Sequence, residues 1–394
     1  MSKVNEIKNV GIIGSGPVGL FSAYLLLLRP EINVTLFDKR SEYSRNQIFL
    51  IQRTYYHFLP SKVQKDLEKI SCFIESPFTS TDAYCYNKTS KPVKNFSCRI
   101  SDFEKILKEY LISKFRNRIY FVNENVSVEQ TKILIRNFDL IIGSGGQDSI
   151  LSESLRLKKV FYPELEGYGI GVIFKFKRIP TKSKIKHEQN LFRGFTTSNG
   201  HGYLGIRLSK EDYTNYKTSK NVNRLIDLGM KYYGFTDSIV ETVFPIHVKP
   251  YYRQQVISKM NNKITVLLGD SAIGVHYFTG SGVNFGFEMA VQFIRLINKK
   301  SLQEPVKLNK YKKGKKLNVK NLDITERYTN EYLKIVETNL TRISNITLFN
   351  VEEMCKITPK DFLEQLSHNL FRPGFLKDAT HSDLCVLLYN QLYK

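Results

Sequence analysis

Tryptophan is absent from the 394-residue chain, and only five residues are cysteine. The cysteines are odd in number, lie far apart and include no C-x-x-C pair, which argues against a disulfide framework and against a zinc site. We therefore predict no bound metal and a reducing intracellular environment, most simply the cytoplasm. The first nine residues are polar and contain no signal-peptide core.

Long apolar runs are also lacking. The longest candidate, Val18 to Leu28, ends at Arg29-Pro30, so it predicts a buried helix and not a transmembrane segment. Acidic residues are scarce, since 37 stand against 59 basic residues, for a net charge of +22. This excess suits an acidic protein or an anionic surface as a partner. No nucleic-acid motif accompanies it, and a general bias towards lysine also accounts for it.

The composition is that of a globular protein, with 42% hydrophobic residues, and the length predicts two domains. Short buried strands and helices alternate over the first 160 residues. Alternating runs separated by turn signals, typical of an antiparallel sheet, follow up to about residue 260. We therefore predict one discontinuous domain of residues 1–160 and 260–300, an inserted domain of residues 161–259, and a helical C-terminal region of residues 301–394.

Two local patterns give sharper predictions of secondary structure. Ser101 is a plausible N-cap for a helix that ends near Phe115, and Glu104 stands at the capping-box position. The run from Lys132 to Ile135 predicts a short strand.

A glycine-rich turn, Gly14-Ser15-Gly16-Pro17-Val18-Gly19, joins an apolar strand to an apolar helix, and the next strand ends at Asp38. The first glycine permits a tight turn, the second lets the backbone approach a pyrophosphate, and the third lets the helix pack on the strand. The helix N-terminus favours phosphate charge, and the carboxylate suits a ribose. This combination predicts a dinucleotide site, the alternative being a β-α-β unit without a ligand.

A second motif narrows the ligand to a flavin. An apolar strand ends at Gly269-Asp270, and a second glycine turn, Gly280-Ser281-Gly282-Val283-Asn284, then opens an apolar helix. A carboxylate at a strand end can bind ribityl hydroxyls. Backbone N–H groups at a helix N-terminus can hold the negative charge of a reduced flavin.

Together these motifs resemble the class A flavoprotein monooxygenases of the aromatic-hydroxylase type, over about residues 10–315. The resemblance implies an α/β fold with a Rossmann-type FAD-binding domain, an inserted, largely antiparallel substrate domain and a helical C-terminal extension. The segment from Ser44 to Asn46 also resembles MICAL-type monooxygenases, which implies that Arg45 lies beside the flavin. The FAD-binding residues that follow are Gly14, Gly16, Pro17, Val18, Gly19, Asp38, Lys39, Arg40, Arg45, Gly269, Asp270, Gly280, Gly282, Val283 and Asn284.

The chain departs from the family pattern at two places. Gly145 stands where the family usually has the aspartate of a D-G motif, and Ile100 stands where it usually has an arginine. The lost carboxylate weakens the case for NAD(P)H as the electron donor. The chain has no second G-x-G-x-x-G unit, and the absence of tryptophan excludes the tryptophan-containing signature of flavin-dependent halogenases.

Few residues suggest themselves for chemistry on the substrate. His276 and Tyr277 lie between the two parts of the flavin motif and are candidate catalytic residues, although a structural histidine would fit as well. Tyr203 and Arg207 are spaced to share one strand face and could contact the substrate, as could His247. A core tyrosine and a surface arginine are the alternatives.

The resemblance implies that the enzyme uses O2 and NAD(P)H to hydroxylate or epoxidise a small organic molecule through a flavin C4a-hydroperoxide. Three alternatives share the scaffold. The first is an FAD-dependent oxidase or reductase, which the missing aspartate favours. The second is a MICAL-like oxidation of a protein side chain, and the third is a flavin-binding protein without turnover.

Overall fold

The computed structural model describes residues 7–76, 93–163, 166–177, 192–196, 200–235, 237–260, 263–275, 282–297 and 324–347. The strands are β1 (Asn9–Ile13), β2 (Asn33–Asp38), β3 (Ile48–Gln52), β4 (Cys72–Ser76), β5 (Val93–Arg99), β6 (Ile119–Asn123), β7 (Leu140–Gly143), β8 (Lys159–Phe161), β9 (Gly167–Phe176), β10 (Phe192–Thr196), β11 (His201–Leu208), β12 (Ser238–Val248), β13 (Tyr251–Arg253), β14 (Ile257–Met260), β15 (Lys263–Leu267) and β16 (Ile273–Gly274). The helices are α1 (Pro17–Leu27), α2 (Arg53–Tyr56), α3 (Ser61–Glu68), α4 (Ile100–Phe115), α5 (Val128–Asn137), α6 (Ile150–Ser154), α7 (Lys210–Thr214), α8 (Lys220–Tyr233), α9 (Gly282–Ile297) and α10 (Ile324–Thr347).

A six-stranded sheet forms the first layer, in the order β14-β15-β7-β1-β2-β6. All of its neighbouring strands are parallel except β14, which pairs antiparallel with β15 at the edge. Helix α1 is apolar on every side, which is typical of a buried helix, and α9 and α4 pack against it. The carboxyl ends of the parallel strands meet at one edge of the sheet, which is where ligands bind in open α/β folds.

A four-stranded antiparallel sheet, in the order β10-β11-β9-β12, forms the second layer. Side chains alternate between its two faces because successive residues of a strand point in opposite directions. One face, with Ile170, Val172 and Phe174, packs with residues of α7 and α8 into a separate hydrophobic core. On the other face, Phe195 and Tyr203 pack against Ile48 of β3.

This arrangement confirms the predicted fold class of a Rossmann-like parallel sheet combined with a largely antiparallel one. Two three-stranded sheets, β3-β5-β4 and β16-β13-β8, complete the described strands. The predicted domain boundaries stay a prediction. Among the described helices, none has both the length and the apolar content needed to cross a bilayer.

Two local predictions are wrong. The N-cap residue of helix α4 is Arg99 and not Ser101, and its side chain makes no capping hydrogen bond. The first amides of the helix instead donate to an earlier part of the chain, Ile100 N to Gln47 O at 2.9 Å and Ser101 N to Arg45 O at 3.1 Å. The run predicted as a strand at 132–135 lies within helix α5. There Ser127 and Gln130 form a capping box, so the helix begins at Val128.

Candidate functional site

A cavity of about 900 Å³ runs from the carboxyl edge of the parallel sheet to the antiparallel sheet. Its polar part lies along the glycine turn, the end of β2 and the loop after β6. Its apolar part lies between β3 and the strands β10, β11 and β12. Of the residues predicted to bind FAD or substrate, those that line it are Gly14, Gly16, Pro17, Val18, Asp38, Lys39, Arg40, Arg45, Asp270, Gly282, Val283 and Tyr203.

The glycine turn is packed too closely for side chains. Gly14 has φ +105°, and a Cβ added there would lie 2.6 Å from Gly145 N. A Cβ added at Gly19 would lie 2.0 Å from Gly14 O, so Gly19 is where α1 meets the turn. The first turn of α1 contains no acidic residue, and its N-cap has no side-chain cap. The positive end of the helix therefore faces the cavity unopposed by a carboxylate from its own first turn.

Asp38 is the centre of a hydrogen-bond network at the end of β2. Its carboxylate accepts bonds from Ser15 N at 2.7 Å, Ser15 Oγ at 2.8 Å and Arg40 Nη2 at 3.0 Å. Burial alone would raise the pKa of this carboxyl, but the bonds from Arg40 and Ser15 outweigh it and lower the pKa to about 2. Asp38 is therefore ionised at neutral pH. The Ser15 hydroxyl also bonds to the Tyr43 hydroxyl at 2.8 Å.

Arg45 extends along the helix α1 terminus and forms an ion pair with Glu104. A Cβ added at Gly16 would lie 3.3 Å from Arg45 Nη2, which places the guanidinium beside the glycine turn. Glu104 is fully buried, and Arg40 Nη1 lies 3.6 Å from it. Burial raises the pKa of Glu104, against the opposing effect of both arginines. This pair was not foreseen, because Glu104 had been explained as a capping residue.

The second motif approaches the first through Val18. Gly269 has φ +62°, and Cβ atoms added at Gly269 and Gly286 would lie 3.1 Å and 2.4 Å from Val18 Cγ2. Asp270 opens onto the cavity, and the protein atoms around it raise the pKa of its carboxyl by desolvation, with Arg45 opposing. Strand β15 and helices α1 and α9 therefore meet at the cavity, with Asp270 at their junction.

Asn284, which was predicted to bind FAD, directs its side chain to β3. It is buried away from the cavity lining, where its side-chain amide bridges to β3. Gln52 N donates to Asn284 Oδ1 and Asn284 Nδ2 donates to Leu50 O, both at 2.8 Å. Asn284 thus fixes the start of α9 against the strand that forms the apolar part of the cavity.

The apolar part of the cavity has an aromatic wall. Phe195 stacks on Tyr203 with ring centroids 5.2 Å apart, and Phe244 lies 6.5 Å from Tyr203. Ile48, Leu50 and Ile246 also belong to the apolar lining. Tyr203 had been predicted as a substrate contact from the sequence. The alternation of a strand does not by itself reveal which face is covered by helices.

His247 does not line the cavity, contrary to the prediction. On β12 it lies directly opposite Tyr168 of β9 and stacks on its ring at 4.7 Å, with Tyr213 of α7 nearby. It therefore points to the helix-covered face, while its neighbour Ile246 points into the cavity. The reason is the alternation of a strand, which turns adjacent residues to opposite faces.

The remaining predicted residues divide into two groups. Arg207 shares the strand face of Tyr203 but does not line the cavity, and Gly19 and Gly269 act in packing around it. His276, Tyr277 and Gly280 lie outside the described residues. Within the described part of the chain, no group of three His, Cys, Asp or Glu side chains is placed to hold a metal.

The polar part of the cavity fits FAD. The two carboxylates, Asp38 and Asp270, suit the hydroxyls of a ribose and of a ribityl chain, and the helix terminus between them suits a diphosphate. Arg45 adds positive charge there, and its buried Nε has no hydrogen-bond partner among the described residues. Gly16 has no side chain that would stand between its backbone and the Arg45 guanidinium.

No protein-family model and no curated protein sequence matches the chain. Solved structures of flavin-dependent enzymes do match. The flavin-dependent halogenase CmlS has a TM-score of 0.62 at 12% identity, over 98% of this chain and 78% of its own. The p-nitrophenol 4-monooxygenase PnpA from Pseudomonas putida DLL-E4 has a TM-score of 0.60 at 12% identity, over 98% of this chain and 97% of its own. The flavin-dependent brominase Bmp2 has a TM-score of 0.59 at 14% identity, over 98% of this chain and 98% of its own. The chain therefore has the fold of the flavin-dependent monooxygenases and halogenases.

Proposed function

We propose that the protein is an FAD-dependent monooxygenase that transfers one oxygen atom of O2 to a small apolar organic substrate, with NAD(P)H as the electron donor. The single observation that carries this proposal is the continuous cavity, which joins a dinucleotide-type glycine turn to an aromatic pocket. FAD, when bound, supplies the electron transfer and the reaction with O2. The chain supplies orientation and an apolar surface for the substrate.

The residues divide these tasks between the two parts of the cavity. The helix α1 terminus and Arg45 would bind the diphosphate of FAD, and Asp38 and Asp270 would bind its hydroxyls. In the apolar part, Phe195, Tyr203 and Phe244 present faces and edges against which a flat substrate can pack. That surface carries no charged side chain among the described residues that line it, which favours an uncharged or weakly polar substrate.

An oxidase or reductase on the same scaffold is a second candidate, because Gly145 leaves its position in the cavity wall without a carboxylate. The fold is shared with halogenases, but a chain without tryptophan cannot carry their tryptophan-containing signature. A MICAL-like activity, a binding protein without turnover, an acidic protein partner and a cytoplasmic location stay predictions.

The monooxygenase proposal predicts different effects for two neighbouring residues. We expect Ile246→Asn to raise the KM for an accepted aromatic substrate by about tenfold, since a polar group in an apolar pocket costs roughly 1–2 kcal/mol. His247→Asn, on the opposite face of the same strand, should leave KM unchanged. The measurement is O2 uptake with NADPH or NADH and a panel of phenols and other small aromatics.

Two results would contradict the proposal. If the FAD-loaded protein oxidises neither NADPH nor NADH with any compound of the panel, the monooxygenase assignment fails and the oxidase or non-catalytic alternatives gain. If His247→Asn raises KM as much as Ile246→Asn does, the substrate does not occupy the aromatic pocket.

A further inference from the structure

Three side chains donate hydrogen bonds to the backbone of the turn that carries Asp270. Tyr251 donates its hydroxyl to Asp270 O, Arg253 donates Nε to Ser271 O at 2.8 Å, and Tyr332 donates its hydroxyl to Ala272 O at 3.0 Å. Three consecutive backbone carbonyls thus each accept from a different side chain. We call Tyr251, Arg253 and Tyr332 the carbonyl clamp.

The clamp is buried and connected to other parts of the fold. Arg253 has no carboxylate partner among the described residues, and it also donates to Leu157 O and to Gln147 O, at 2.5 and 3.4 Å. Tyr332 Oη accepts from Arg253 N at 3.0 Å, which joins two members of the clamp. Burial raises the pKa of both tyrosines, so both hydroxyls keep the protons that they donate.

The clamp residues contact the backbone of the Asp270 turn and not its carboxylate. Tyr251 and Arg253 lie two residues apart on β13, so they share one strand face, and Tyr332 comes from α10, far along the chain. All three bond to backbone carbonyls, which leaves the Asp270 carboxylate to open onto the cavity. The Asp270 side chain is exposed to the cavity, so its orientation depends on the backbone turn that the clamp holds.

We propose that the carbonyl clamp is a positioning device for Asp270, through which helix α10 sets the affinity and orientation of bound FAD. The inference rests on the proposed function, because it takes FAD as the ligand of the cavity. Tyr251, Arg253 and Tyr332 are positioning residues, since they act on the ligand through the Asp270 turn and do not line the cavity.

The test compares two tyrosines on α10 that are both fully buried. Tyr332→Phe removes a clamp hydroxyl, whereas Tyr328→Phe removes a hydroxyl that has no hydrogen-bond partner among the described residues. Tyr332→Phe loses the bond to Ala272 O and the bond from Arg253 N. We expect it to weaken FAD binding by about three- to tenfold, the equivalent of the one hydrogen bond that is lost to the Asp270 turn. It should also change the visible circular dichroism of bound FAD, while Tyr328→Phe should change neither property.

The dissociation constant is measured by titrating folded apoprotein with FAD, and the dichroism is recorded on the FAD-saturated protein. Both measurements are made well below the unfolding transition, where a general loss of stability does not alter the dissociation constant. Tyr251→Phe provides a second, independent member of the clamp and should act in the same direction as Tyr332→Phe. Wild-type affinity and an unchanged dichroism spectrum in both clamp variants would overturn the clamp alone. Failure of the wild-type protein to bind FAD would overturn the proposed function, and the clamp with it.

Discussion

Replacing Gly19 with alanine is expected to destabilise the fold by about 3 kcal/mol or more and to abolish FAD binding. The added Cβ would lie 2.0 Å from Gly14 O and 2.7 Å from Ser144 Oγ. The closest contact is with backbone, which cannot turn aside as a side chain can. Gly14 cannot move aside either, because it is packed closely against the backbone of Gly145. Helix α1 would have to move off the sheet, and its terminus would leave the cavity.

The matched control is Gly145→Ala, in the loop that faces the same turn. A Cβ there would meet only Ile13 O at 3.7 Å, an ordinary contact, and the backbone is outside the left-handed region. Thermal unfolding of the two apoproteins should show a much lower melting temperature for Gly19→Ala and little change in melting temperature for Gly145→Ala. A wild-type melting temperature in Gly19→Ala would show that α1 does not approach the turn as described.

Replacing Arg45 with methionine should weaken FAD binding and make the stability of the apoprotein depend more strongly on pH. Glu104 is fully buried, and Arg45 is one of the two arginines that face it. Burial raises the pKa of Glu104, and Arg45 opposes this, so the variant raises the pKa further. Removing one partner of a buried charge typically lowers the free energy of unfolding by several kcal/mol. Because Arg40 remains and Arg45 is partly exposed, we expect a loss of about 2 kcal/mol in the free energy of unfolding at pH 8.

The sign of the pH effect follows from the direction of that shift. If the pKa of a carboxyl is higher in the folded state than in the unfolded state, the folded protein loses stability as pH rises, because the carboxyl must then ionise in the folded state. The free energy of unfolding of Arg45→Met, measured in urea, should therefore fall further below the wild-type value at pH 8 than at pH 5. The double variant Arg45→Met with Glu104→Gln should remove the added pH dependence. Equal losses at both pH values, or no rescue by Glu104→Gln, would contradict the buried ion pair.

Local spacing was sufficient to predict the strand-turn-helix segments that line the cavity. The glycine turn, Asp38 and the Gly269-Asp270 turn each depend on residues close together in sequence, where strand, turn and helix preferences act directly. The capping box of α5, formed by Ser127 and Gln130, is also a local pattern. The strand predicted at residues 132–135 depended on the apolar run alone.

The pocket and the supporting contacts depend on long-range geometry. The register of β12 shifts between Val240 and Thr242, which leaves Glu241 as an extra residue that lies 3.2 Å from Arg99 of β5. Such a bulge sets which residues beyond it face the cavity, so Ile246 could not be distinguished from His247 by alternation alone. Glu104 similarly pairs with an arginine 59 residues away, a contact that no local pattern indicates.

The most direct test of the central claim is a titration of the purified apoprotein with FAD and with FMN, followed by flavin absorbance and fluorescence. If the cavity binds a dinucleotide along the glycine turn, FAD should bind with one molecule per chain. FMN, which lacks the adenosine part, should bind far more weakly. Asp38→Asn should weaken FAD binding by about tenfold, the value of one charge-assisted hydrogen bond, and leave FMN binding unchanged. A protein that takes up no FAD, or that binds FMN as tightly as FAD, would contradict the account.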